Sequence, residues 1–126
     1  YCGKNGCLET FISGPAVERQ YKNRLGKELE MPNIVAESEN GNPVAEEIIK
    51  VFENRLARAL AQIINVLDPD AIVLGGGLSN IDRLYKNIPK IWGKYIFSDS
   101  VSTTLHKAKY GDSSGVRGAA WLWEIA

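Results

Sequence analysis

Between Val44 and Leu67 the chain carries its longest helical pattern, and this segment limits the fold more than any other. Ile48, Phe52, Leu56, Leu60, Ile63, Ile64 and Leu67 recur at spacings of three and four, which places them along one side of a helix. Glu46, Lys50, Glu53 and Arg58 fall between them and read as a solvated face. Val51, Ala57 and Ala61 widen the apolar stripe. At 1.5 Å per residue the helix is roughly 36 Å long. A helix this long and this broadly apolar is expected to be covered on more than one side, by a sheet and by a second domain or subunit.

What flanks this helix sets the fold class. Asp68-Pro69-Asp70 ends it, and Ala71-Ile72-Val73-Leu74 reads as a short buried strand. Gly75-Gly76-Gly77 follows at once. Ile81, Leu84, Tyr85 and Ile88 then mark a helix, with Ser79 or Asn80 as its cap and Pro89 to break or restart it. Thr103 to Lys109 reads as a second strand. A helix between two strands predicts a βαβ crossover and a parallel α/β layer. Two strands make a thin sheet, whose other strands are expected from outside this chain.

Upstream, Ser13 is a predicted N-cap with Pro15 just inside the helix. Val17, Tyr21 and Leu25 line one face of that helix, and Gly26 stops it. A short helix is expected near Pro32 to Glu39, before the break at Asn40-Gly41-Asn42-Pro43. Downstream, Asp112-Ser113-Ser114 is expected to cap a last helix over about 113–125 carrying Val116, Ala119, Ala120, Leu122 and Trp123. Trp121 and Trp123 cannot share one face of it, so at least one is expected at the rim or against something beyond the chain.

Charge and composition exclude several roles. Acidic and basic residues number 15 each, so no net field draws the chain to nucleic acid or to an anionic membrane. No apolar run approaches the length of a bilayer span. Apolar residues make up 44% of the chain, enough for a core. The two cysteines, Cys2 and Cys7, sit together at one end, which suits a reducing cytoplasm better than a disulfide framework. The 126 residues open inside a Cys/Gly turn and without an initiator methionine, so the chain is expected to be a piece of a longer protein.

Three features could carry chemistry. Cys2 and Cys7 lie on a loop bent by Gly3 and Gly6 and could converge on one ion. Zinc would need two further ligands, and the single histidine, His106, is remote and within a strand. Two reduced thiols in a tight turn satisfy the same spacing. The Gly75–Gly77 run can bring backbone close to a nucleotide, because no side chain blocks the approach, and a following helix N-terminus would add free N–H groups. It matches neither the phosphate-loop nor the dinucleotide pattern, and a merely tight strand-to-helix turn has the same composition. Glu9 could accept hydrogen bonds from sugar hydroxyls, or be an ordinary surface glutamate.

Together these features resemble one family. Cys2-Gly3-Lys4-Asn5-Gly6-Cys7-Leu8-Glu9 resembles the zinc-loop signature C-x-C-G-x-x-G-C-x-E of the ROK family of sugar kinases and repressors. Ile72-Val73-Leu74-Gly75-Gly76-Gly77-Leu78-Ser79 looks like that family's adenosine-contact turn. The tail from Gly111 to Trp123 is similar to the end of bacterial ROK fructokinases, which also accept mannose. The resemblance implies the C-terminal lobe of an actin-like, ribonuclease-H-like α/β fold, with ATP and sugar between two lobes. By position it makes Cys2 and Cys7 zinc ligands, joined by a cysteine and a histidine that precede this chain. It makes Glu9 a sugar ligand and Gly75, Gly76 and Gly77 the adenosine contact. Gly118 matches a glycine expected to allow close helix packing.

The resemblance places the catalytic aspartate and the first phosphate loop upstream, so no catalytic residue is expected within residues 1–126. The whole chain is then one C-terminal lobe, with a zinc loop over 1–10, a long helix over about 44–67, the adenosine turn and its helix over about 71–92, and a terminal helix over about 113–125. The function implied is that of a cytoplasmic, ATP- and Mg2+-dependent hexose kinase with a structural Zn2+. Fructose is favoured, then mannose or glucose. The expected partners are the N-terminal half and a second copy in a homodimer, and the piece alone is expected to be inactive. The alternative is the effector-binding part of a ROK transcriptional repressor.

Overall fold

The computed structural model describes residues 3–122. Six helices and two strands follow one another: α1 (Glu9–Ile12), α2 (Gly14–Leu25), α3 (Met31–Glu39), α4 (Pro43–Leu67), β1 (Ala71–Leu74), α5 (Arg83–Trp92), β2 (Thr104–Lys107) and α6 (Ser114–Ala120). Short 3-10 turns lie at Gly77–Asn80, Gly93–Tyr95 and Gly111–Ser113. Helix α1 begins within the segment expected to be loop, residues 1–10, and runs two residues past it. None of the described helices is long and apolar enough to cross a membrane.

Local chemistry sets most boundaries. The Ser13 side chain accepts from the Ala16 N–H at 3.3 Å, and Pro15 occupies the first turn of α2. Gly26 closes α2 with φ at 68°, a left-handed conformation that glycine adopts freely. Asn42 caps α4 by accepting from the Val44 and Ala45 N–H groups at 3.0 and 3.2 Å. Asp68 ends α4 in the left-handed region, where a short polar side chain is tolerated.

Helix α4 is the spine of the core. Ala45, Ile48, Ile49, Phe52, Leu56, Ala57, Leu60, Ala61 and Ile64 are all buried on it. They pack against Val17 and Tyr21 of α2, Ile34 of α3, and Leu84, Ile88 and Trp92 of α5. Two expectations about α4 are corrected. Ile63 and Leu67 are 43% and 70% exposed, because they lie off the narrower face that Leu60, Ala61 and Ile64 turn into the core. Glu53, expected on the solvated face, is only 2% exposed. Pro89 neither breaks nor restarts α5, which runs unbroken to Trp92. The apolar face holding Leu84, Ile88 and Trp92 against the core outweighs the one lost backbone bond.

Strands β1 and β2 pair in parallel around α5, with Ala71 opposite Thr104 and Leu74 opposite Lys107. Ile72 and Leu105, cross-strand partners, pack on the helical core. The expected buried strand is covered on that face alone. Val73 on the opposite face is exposed, because among the described residues the helices lie on one side of the sheet. The expected terminal helix is shorter than 113–125. Ser113 makes no side-chain cap, the helix ends at Ala120, and Trp121 is exposed. Trp123 lies outside the described residues.

Candidate functional site

The turn after β1 holds one residue in a backbone conformation that only glycine adopts. Gly76 has φ 79° and ψ 180°, a region closed to residues with a Cβ. A Cβ built on Gly75, Gly76 or Gly77 would meet nothing within 4 Å. Internal packing therefore does not require the bare backbone at Gly75 and Gly77; it faces open space. The Ser79 hydroxyl donates back to the Gly76 carbonyl at 2.6 Å and is buried. The Tyr85 hydroxyl donates to the Ser79 carbonyl at 2.7 Å. These bonds clamp the turn as a 3-10 helix, so Ser79 and Asn80 do not cap α5. The helix starts later, at Arg83, with Asp82 before it. Its N-terminus is set back from the glycines, contrary to expectation.

A cavity of about 690 Å³ opens beside this turn. Gly77, Leu78, Ile81 and Asp82 form one wall, and Met31, Pro32 and Val35 of α3 form the wall across from it. Gly14 and Pro15 at the start of α2 contribute, as does Asp112. The turn Gly111–Ser113 packs against the glycine turn, and Lys107 reaches Asp82 at 3.0 Å. The lining is thus mostly apolar, with the carboxylates of Glu39, Asp82 and Asp112 among it, a composition suited to a small organic ligand that also carries polar groups.

Behind the cavity lies a polar cluster that the sequence reading missed. Arg83 donates from Nε to Glu53 at 2.7 Å, and from Nη1 to Glu46 at 3.0 Å and to the Ser38 hydroxyl at 2.9 Å. Asn87 donates to Glu53 at 2.8 Å, and Ser38 also donates to Glu46. The hydrogen bond from Arg83, then that from Ser38, holds the Glu46 carboxyl at about 2, well below its ordinary range. Burial alone would lower the Arg83 pKa, but its bonds to Glu46 and Glu53 outweigh that and raise it. The signal was present in the sequence: Glu46 and Glu53 stand seven apart, two turns along one helix face.

The other predicted residues are placed apart from this cavity. Glu9 opens α1, is exposed, and does not line the cavity. Cys7 is an exposed free thiol. Its carbonyl accepts from the Thr10 N–H at 3.0 Å and the Thr10 hydroxyl at 2.6 Å, which shapes the loop. Cys2 lies outside the described residues. His106 sits on β2 against the Thr104 hydroxyl. Among the described residues no group of three or more His, Cys, Asp or Glu side chains is placed to hold a metal ion. They do not by themselves make the four-ligand site that structural zinc requires. Gly118 has open space around it, not the close packing expected.

Comparison with known proteins places this geometry. The chain is 41% identical over 122 residues to an N-acetyl-D-glucosamine kinase of Mannheimia succiniciproducens, covering 97% of this chain and 40% of that protein. It thus spans about 40% of the length of such relatives. Its structure matches a ROK family glucokinase from Streptomyces griseus, solved with glucose and AMPPNP, with a TM-score of 0.85 and 25% identity over 96% of this chain and 45% of that one. A ROK family transcriptional regulator, a homologue of the E. coli MLC protein, matches with a TM-score of 0.72 and 25% identity over 85% of this chain and 30% of its own. With the ROK family profile matching residues 1–125, the chain belongs to the ROK family and carries part of its actin-like ATPase fold.

Proposed function

We propose that this chain is the C-terminal part of a cytoplasmic ATP-dependent hexose kinase, with ATP bound against the glycine turn. The observation that carries this is the open space over Gly75, Gly76 and Gly77 beside an apolar-walled cavity. Backbone kept bare without internal need is what close approach of a ligand demands. Adenosine would lie along Gly75–Gly77 with its base toward Met31 and Val35. Phosphoryl transfer is largely positioning plus charge stabilisation around Mg-ATP, and this chain would supply the nucleotide's positioning. The catalytic base and the rest of the cleft would come from the N-terminal half, and the active protein would be a homodimer.

Glu9 would hydrogen-bond the sugar hydroxyls from the other side of the cleft. Cys2 and Cys7 would bind zinc only together with two ligands from outside this chain. About one zinc per chain in the parent protein, lost when both thiols are replaced, would support that. For the sugar, the resemblance of the tail supports fructose, whereas the 41% identical relative acts on N-acetylglucosamine. The two stand as the first substrates to test.

The test is turnover by the intact parent protein with Mg-ATP and fructose, N-acetylglucosamine, glucose or mannose, followed by ADP release. In the same assay Gly76→Ala is expected to raise KM for ATP about tenfold, because a Cβ strains this backbone by about 1–3 kcal/mol. The likeness to a transcriptional regulator supports a second reading, an effector-binding repressor part. No turnover on any sugar, with sugar-dependent DNA binding instead, would establish that reading and sink the kinase.

A further inference from the structure

The two walls of the cavity belong to different helical segments, and one side chain ties them together from behind. Arg83 is the first residue of α5, directly after Ile81 and Asp82 of the turn-side wall. Ser38, which accepts from its Nη1, directly precedes Glu39 and lies three residues after Val35, both on the α3-side wall. The same guanidinium is anchored to α4 through Glu46 and Glu53. We propose that Arg83 is a positioning residue for the adenine nucleotide, setting the distance between the α3 wall and the glycine-turn wall through Ser38, Glu46 and Glu53. This rests on the nucleotide reading of the cavity.

Stability alone does not account for the cluster. A buried ion pair adds little net stability over apolar residues of the same volume, and its best-attested contribution is a fixed geometry. The planar guanidinium fork imposes direction as well as charge. Here Nε, Nη1 and Nη2 all donate, and the acceptors come from two helices. The buried side chains in the cluster leave no polar atom without a partner. A lysine would retain the charge but could not bond Ser38, Glu46 and Glu53 with the same directions. The walls would then be free to shift, and a small misplacement of a bound group is costly when affinity depends on its fit.

Steady-state kinetics of the intact parent protein test this with Mg-ATP and its sugar, using Arg83→Lys, Ser38→Ala and Ser38→Thr. The expected result is a KM for ATP raised about tenfold in Arg83→Lys and several-fold in Ser38→Ala. KM for the sugar should be unchanged, and Ser38→Thr should restore the ATP value. If Arg83→Lys does not fold, the two Ser38 variants carry the test. A lower melting temperature with KM for ATP within about twofold of the unmodified protein would make the cluster a structural anchor and overturn the proposal. Equal rises in both KM values would indicate general loosening and overturn it too. If the unmodified protein neither turns over nor binds ATP, the nucleotide reading itself falls, and this proposal falls with it.

Discussion

The helical layer and the strand layer of this chain differ in how far each is completed by its own residues. Helices α2, α3, α4 and α5 bury one another's apolar faces and satisfy the charged groups between them. The two-stranded sheet is covered on one face only, and the last turns of α4 beside it leave Val66 and Leu67 79% and 70% exposed. Parallel sheets are normally buried on both faces. The stability of the isolated chain therefore resides in its helices, while the glycine turn and cavity lie at the margin of that layer. A site bordered by an incomplete layer fits a chain that spans about 40% of its relatives.

The largest test of this contrast is Phe52→Ala. Phe52 is fully buried at the middle of α4, and its truncation is expected to cost about 4 kcal/mol in a urea titration of this chain. A loss under about 1 kcal/mol would mean that the helical layer does not carry the stability.

Next is Arg83→Met, expected to cost about 3 kcal/mol near neutral pH by leaving the buried Glu53 and the half-buried Glu46 without their partner. The loss should depend on pH with a definite sign. Glu46 is held at about 2 in the fold against an ordinary 4.5. A depressed carboxylate contributes stability above its unfolded value and loses it as pH falls through the folded one. The stability gap between the unmodified chain and Arg83→Met should be widest above about pH 4.5 and narrow towards pH 2. A gap that stays constant in urea titrations across that window would show that Glu46 is not the group the arginine stabilises.

The smallest expected effect sharpens the contrast from the other side. Val66→Ser should change the stability of this chain by less than about 0.5 kcal/mol, because the side chain is already in water. A loss comparable to that at Phe52 would mean that the end of α4 is covered after all, by a second copy in solution. Sedimentation of the same sample would identify that copy.

Much of the framework was legible in the sequence. The break before Pro43, the cap at Ser13, the crossover between strands and the bare glycine turn all follow from residues within a few positions of one another. The site was less so. Gly75–Gly77 stood out by composition, but the opposing wall of Met31, Pro32 and Val35 carries no chemical signature and sits some forty residues away in the chain. Glu53 looked solvated because helical spacing places a charge without showing which neighbour covers it. The cap expected at Ser79 failed because Ser79 lies inside the 3-10 turn Gly77–Asn80, and α5 starts only at Arg83.

The sequence by itself determined the order in which α2 to α5 and the two strands alternate, and where α2 and α4 begin and end, since capping, turn chemistry and periodicity act over one or two turns of chain. Only the tertiary structure decided which faces are buried, that Ile63 and Leu67 remain in water, and that Arg83 meets Glu53 and Ser38 across 30 and 45 residues. The physical reason is that an apolar or charged face specifies a need for a partner, whereas the partner's identity depends on how the remaining elements pack.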